Sequence, residues 1–251
     1  MVDTLSDALL ILTAGNPKPA KRFLQFADRL RGAAYDRDDP AQLLGFIISM
    51  AAEAKGQIYQ DLWALWASGQ KKGGFFVEFG AANGVDLSNT WLMEKRMGWQ
   101  GILAEPNPVF FDSLAAARSC TVSHKCVYSR SGERLEFLGT KNPEYSGLME
   151  HESEEMRRKG GPTFEVETIA LNDLLAEHEA PRVIDYMSID TEGSELEILS
   201  AFDFDRWDVR AISVEHNYGP NRDGMHSLLA DRGFRRQWTE LSLWDDWYVR
   251  D

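Results

Sequence analysis

Apolar and polar positions along this chain follow two periods, and the change falls near residue 73. Before it, apolar residues recur at helical spacing, with Phe23, Leu24, Phe26, Ala27 and Leu30 on one face. Asp39-Pro40 reads as an N-cap followed by proline at the first helical position. It opens a segment that runs through Leu43, Leu44, Ile47 and Ile48 to Trp63 and Trp66, divided at Gly56 and ended by Gly69. After Gly73-Gly74 short apolar runs alternate with helical stretches. Residues 75–79, 101–104, 121–128, 183–189 and 210–214 read as strands. Helices are predicted over 89–97, after Asn107-Pro108, after the capping-box pattern Ser194–Glu197, and from about Asp223 to Gly233. Residues 234–239 and 243–249 make a terminal pair. Such alternation predicts a Rossmann-like α/β fold: a seven-stranded, mostly parallel sheet with helices on both faces, an antiparallel C-terminal hairpin and a helical N-terminal extension. The expected organisation is an extension over 1–72 and one domain over 73–251. An insertion at about 130–180 holds two further strands, 133–138 and 164–168, around a polar segment near the mouth of the site.

Composition changes this picture little. The chain has 251 residues, and 43% of them are apolar, so one large domain with a sizeable core is affordable. A net charge of −13 argues against nucleic acid and anionic membranes as partners. Cys120 and Cys126 lie six apart with no His or Cys at metal spacing, which excludes a zinc site and a disulfide framework. The apolar run 8–14 is too short for a membrane span and follows no basic segment, so a cytoplasmic location is expected. The helical extension is open to three readings: scaffolding, a lid, or the surface of a homodimer.

Four constellations carry candidate chemistry. The first is Val77-Glu78-Phe79-Gly80-Ala81-Ala82-Asn83-Gly84, which joins a strand to a helix. Small residues there let backbone approach a ligand closely. The third glycine of G-x-G-x-x-G is missing, which argues against a dinucleotide and so against an NAD-dependent oxidoreductase. An acid at Glu78 suits a cationic ligand such as the sulfonium and ammonium of S-adenosylmethionine. The second is Glu105, one βα unit further on, where a carboxylate can accept both ribose hydroxyls. The third, Asp185–Gly193, sets Asp190 at the end of an apolar strand, facing the crevice. The fourth, Val214-Glu215-His216-Asn217, ends the next strand in the same way. Asp190, Glu215 and His216 are therefore the candidate catalytic residues. They are also candidate ligands for Mg2+ or another divalent cation, the alternative being metal-free chemistry with His216 as general base. Gly80, Ala81, Asn83, Gly84, Glu105, Pro106, Cys126 and Asp190 join Glu78 as candidate cofactor contacts.

These residues resemble the FkbM-type methyltransferases. The likeness runs over about 73–250. It rests on Phe76 to Gly84, Leu103-Ala104-Glu105-Pro106-Asn107-Pro108, Val166 to Leu175, Ile184 to Leu199 and Val214 to Asn217. Ser188-Ile189-Asp190-Thr191-Glu192-Gly193-Ser194-Glu195 is its most specific element. Two departures stand out. Family members commonly place asparagine two residues after the first glycine, where this chain has Ala82 followed by Asn83, and their first acid is often Asp rather than Glu78. The resemblance implies transfer of the sulfonium methyl group of S-adenosylmethionine to an oxygen. The acceptor it implies is a small molecule, a hydroxyl-bearing sugar, glycolipid or other natural product. A non-catalytic nucleoside-binding scaffold of the same fold is the alternative.

Overall fold

The structure, a computed structural model, describes residues 34–151, 158 and 160–250. The expected helical face around Phe23 to Leu30 and most of the charged run after His151 lie outside them. The strands are β1 (Phe75–Phe79), β2 (Gln100–Ala104), β3 (Thr121–Ser123), β4 (Cys126–Tyr128), β5 (Arg134–Leu138), β6 (Gly147–Leu148) and β7 (Thr163–Ala170). They continue with β8 (Val183–Ile184), β9 (Tyr186–Ile189), β10 (Asp208–Val209), β11 (Ala211–Glu215), β12 (Arg235–Gln237) and β13 (Asp245–Val249).

Seven of these make the main sheet, in the order β12-β13-β11-β9-β1-β2-β3. The five strands from β3 to β11 run parallel, while β13 is antiparallel to both β11 and β12. The terminal antiparallel pair therefore enters the sheet with its second strand innermost, which makes the sheet mixed. The chain builds outward from β1 to β3 and returns to β9 on the other side of β1. The order of strands thus reverses at β1, and a crevice opens at the carboxyl ends of β1 and β9.

Alternate residues of β1 serve opposite faces. Val77 and Phe79 pack with Met187, Ile189, Ile212 and Val214 beneath the helices Leu171–Glu177, Glu195–Ala201 and Arg222–Asp231. Phe76 joins Leu103, Tyr186 and Trp247 on the other face, against the helices Pro40–Met50, Gln60–Ala67 and Trp91–Met97. Trp63 stacks on Trp247 at 5.1 Å between ring centroids. Residues 40–67 thus supply one of the two layers that cover the sheet. No described helix is long and apolar enough to cross a membrane.

The structure corrects three local expectations. Residues 121–128 are not one strand: β3 closes the edge of the main sheet, whereas β4 pairs with β7 in a separate four-stranded sheet, β4-β7-β5-β6. That sheet is the form the insertion takes. Residues 183–189 divide at Asp185, whose carboxylate accepts bonds from Phe75 N and Lys71 Nζ instead of continuing the strand. Ser194 makes no capping bond. Its hydroxyl goes to Thr191 Oγ1, and Glu195 organises the turn by accepting from Thr191 N, Gly193 N and Thr191 Oγ1.

Candidate active site

The loop after β1 is left-handed at Gly80 (φ 79°), Ala82 (φ 44°) and Gly84 (φ 75°). At Gly80 this is compulsory, because a Cβ there would stand 1.8 Å from the carbonyl oxygen of Asp190. The close approach welds the first cofactor turn to the end of β9. Ala82 N donates to Glu105 Oε2 at 2.8 Å, and Asn107 N donates to Oε1 at 2.8 Å. Each oxygen of Glu105 keeps acceptor capacity beyond its one backbone bond. Burial pushes the Glu105 carboxyl up to about 7, against the pull of these two bonds and with help from the charge of Asp190.

Gly80, Ala82, Glu105, Pro106, Cys126 and Asp190 line a cleft roofed by Phe137 and Leu148 of the second sheet. It encloses about 560 Å³ including its open mouth. Five residues expected as cofactor contacts are thus brought together: Gly80, Glu105, Pro106, Cys126 and Asp190. Four others are not. The Glu78 carboxylate points into the protein, accepting from Asn89 N at 2.7 Å, Ser88 Oγ at 3.0 Å and Thr90 Oγ1, with Arg118 Nη1 at 3.7 Å. Ala81 packs into the core. Asn83 Oδ1 accepts from Val85 N and Asp86 N, closing its own turn. Gly84 lies against Leu114 and Arg118.

A second, larger cavity adjoins the cleft. It encloses about 1750 Å³ including its mouth, and Asp190, Glu192, Glu195 and Glu215 lie along its wall with Leu87, Met225 and Trp244. Glu144, Asp190 and Glu192 border both spaces. Carboxylate oxygens of Asp190, Glu192 and Glu215 all lie within 4.8 Å of one another. Parallel pairing of β9 with β11 causes this, since Ile189 and Val214, the residues just before Asp190 and Glu215, are in register. Asp190 is open to cavity space, yet the surrounding protein desolvates it. Enclosure and then the charge of Glu195 raise its pKa, and enclosure and then Asp190 raise that of Glu215. The two carboxyls share a hydrogen bond, and each holds its proton more tightly than a free acid does.

His216 lines the same cavity but lies outside the three-acid group. After β11 the chain turns through left-handed Asn217 and Tyr218, and the imidazole folds back under the turn. Nδ1 accepts from Tyr218 N at 2.9 Å, and Nε2 lies 3.8 Å from Asp246 Oδ1. Burial lowers its pKa, against the attraction of Asp246, and Nε2 has no hydrogen-bond partner. Glu192 takes the place expected for it among the acids. The sequence reading missed Glu192 because it stands in a left-handed turn (φ 58°), which no strand or helix period reveals. It also missed His151, which lines the larger cavity instead of the surface. Of the C-terminal aromatics, Trp247 and Tyr248 are core residues, and Trp244 lines the cavity.

Comparison with known proteins identifies the family. The sequence matches the methyltransferase FkbM domain over residues 78–236. It is 27% identical over 191 residues to methyltransferase sdnD of Sordaria araneosa, covering 64% of this chain and 73% of that protein. Among solved structures it resembles precorrin-6y C5,15-methyltransferase from Geobacter metallireducens, with a TM-score of 0.41 and 13% identity over 70% of this chain and 72% of that one. The chain belongs to the FkbM methyltransferase family.

Proposed function

We propose that this methyltransferase binds S-adenosylmethionine in the cleft and methylates a hydroxyl oxygen of a sugar, glycolipid or other natural product held in the larger cavity. One observation carries the reading: the cleft walled by Gly80, Glu105 and Cys126 and the acidic cavity meet at Asp190 and Glu192. A donor in one and an acceptor in the other would touch there. The cleft fits the cofactor on its own terms. Gly80 lets the turn after β1 close against the Asp190 carbonyl at the cleft wall, and Glu105 offers lone pairs to two ribose hydroxyls.

S-adenosylmethionine, when bound, supplies an electrophilic methyl group. The protein's own work is to orient the acceptor oxygen and dispose of its proton. Asp190, at the junction, accepts the hydroxyl's hydrogen bond and takes the proton as the oxygen gains its new bond to carbon. Glu215, hydrogen-bonded beside it, keeps one proton in the pair and so limits the charge there. Phe110 and Phe137 wall the cleft from water. Three hard oxygens on Asp190, Glu192 and Glu215 also suit Mg2+ or a similar cation, which would lower the pKa of the acceptor hydroxyl.

Calorimetric titration tests the cofactor assignment. S-adenosylhomocysteine is expected to bind with a micromolar Kd and NAD not at all; failure of S-adenosylhomocysteine to bind would remove the reading. With labelled S-adenosylmethionine and a panel of hydroxylated sugars and natural products, Asp190→Asn should lower turnover by about 100-fold or more. Loss of turnover in EDTA, restored by Mg2+, would favour the metal-assisted form.

A further inference from the structure

We infer that Arg118 is a positioning residue for the cofactor: its guanidinium clamps the loop after β1 and sets the shape of the cleft without touching the ligand. The inference rests on the cofactor reading above. Arg118 lies just beyond the helix Phe111–Ala117 and belongs to none of the motifs that mark the site. Its side chain is wholly buried (0% exposed), a costly place for a cation unless every donor is used.

Four of its five N–H donors are used along residues 84–94. Nη1 donates to the carbonyl of Gly84 at 3.1 Å and to Ser88 Oγ at 3.1 Å. Nη2 donates to Thr90 Oγ1 at 2.9 Å, and Nε donates to Glu94 Oε2 at 2.6 Å. Ser88 and Thr90 in turn donate to Glu78 near the end of β1. The planar fork of arginine reaches all of these from one side; the single ammonium of lysine does not. Gly84 gives a second, independent sign. A Cβ there would lie 2.4 Å from Leu114 Cδ1 and 2.9 Å from Arg118 Cγ. This glycine therefore admits the clamp rather than the ligand, and it does not line the cleft.

The clamp bears on binding because the loop it holds is unfavourable by itself. Left-handed Ala82 persists only where its surroundings over-determine it. Glu105 holds the loop at Ala82 N, and Arg118 holds its far end at the Gly84 carbonyl. With the far end released, Ala82 can relax, and its bond to Glu105 goes with it. Glu105 then loses the partner that fixes it toward the ribose position.

The test separates positioning from mere stability. Arg118→Lys keeps the charge and loses the fork, while Glu94→Gln loses the ion pair and leaves the bonds to Gly84, Ser88 and Thr90. Both should lower the Tm, but the Kd for S-adenosylhomocysteine should rise at least tenfold in Arg118→Lys and stay within twofold in Glu94→Gln. Equal affinity in Arg118→Lys and wild type, or a Kd that follows Tm in both variants, overturns the inference. Should Arg118→Lys not fold, Thr90→Val decides, with a rise of about threefold expected from losing one arm of the fork; an unchanged Kd overturns it. Absence of binding to the wild type sinks the cofactor reading itself and the inference with it.

Discussion

Glu78 and Asp190 belong to neighbouring strands of one sheet, yet their surroundings are opposites. Glu78 faces three hydrogen-bond donors and a buried arginine. Asp190 faces Glu215, Glu192 and Glu195. An acid whose lone pairs are all met by the chain is finished; it holds the loop and helix around it in place. An acid that meets other acids is left wanting a proton, a cation or a ligand, which is the condition of a reactive site. Both kinds appear within one turn of the same crevice, and the backbone of Gly80 against Asp190 couples them.

The largest effect should come from breaking that coupling. Gly80→Ala puts a Cβ into the Asp190 carbonyl at a left-handed position, and a loss of about 4 kcal/mol or failure to fold is expected, read by denaturant unfolding. A variant of wild-type stability would mean the two halves of the crevice are not welded. Glu78→Ala comes next. It strands three buried donors and removes one of the two acids beside Arg118, so about 3–5 kcal/mol should be lost. If instead stability held and only turnover fell, Glu78 would belong with the reactive acids.

A pH series sharpens the contrast. Burial pushes Glu105 and Asp245 both up to about 7. The native state binds these protons more tightly than the unfolded chain, whose carboxyls ionise near 4. Their contribution to stability is full below about pH 4 and is lost as pH rises through about 7. Glu94 runs the other way: burial opposes it, but Lys95, Arg118 and Ser119 hold it well below the usual carboxylate range. Its contribution is present above the unfolded pKa and is lost only as pH falls below the range tested. The Tm of the ligand-free protein should therefore fall by about 5 °C or more from pH 5 to 8, and Asp245→Asn should flatten the slope. A Tm that rises over this range would show that the acids are not desolvated. The smallest effect belongs to an exposed pair. Arg134 and Glu165 stand 3.6 Å apart in open solvent, and Arg134→Ala should change stability by no more than about 0.5 kcal/mol.

Much of the fold was legible. The apolar runs that became β1, β2, β9 and β11 are continuous because parallel strands are covered on both faces. Asn107-Pro108 marked a real start, with Asn107 Oδ1 accepting from Val109 N. Glu105 and Asp190 were legible because each directly follows or ends such a run. Residues 121–128 misled because β3 and β4 are both apolar, and nothing local shows that they belong to different sheets. Ser194 misled because a capping box is a local pattern, whereas Glu195 competes for the same turn from inside the helix.

The sequence by itself determined the alternation of strands and helices and which acids stand at strand ends. Both follow from hydrophobic period and from the small residues after β1. Only the tertiary structure decided what each acid does. Whether a carboxylate is satisfied depends on groups brought from elsewhere: Arg118, forty residues beyond Glu78, and Glu215, twenty-five beyond Asp190. It also decided where the His216 ring sits, because that rests on two left-handed residues and on Asp246 arriving from a strand formed thirty residues later.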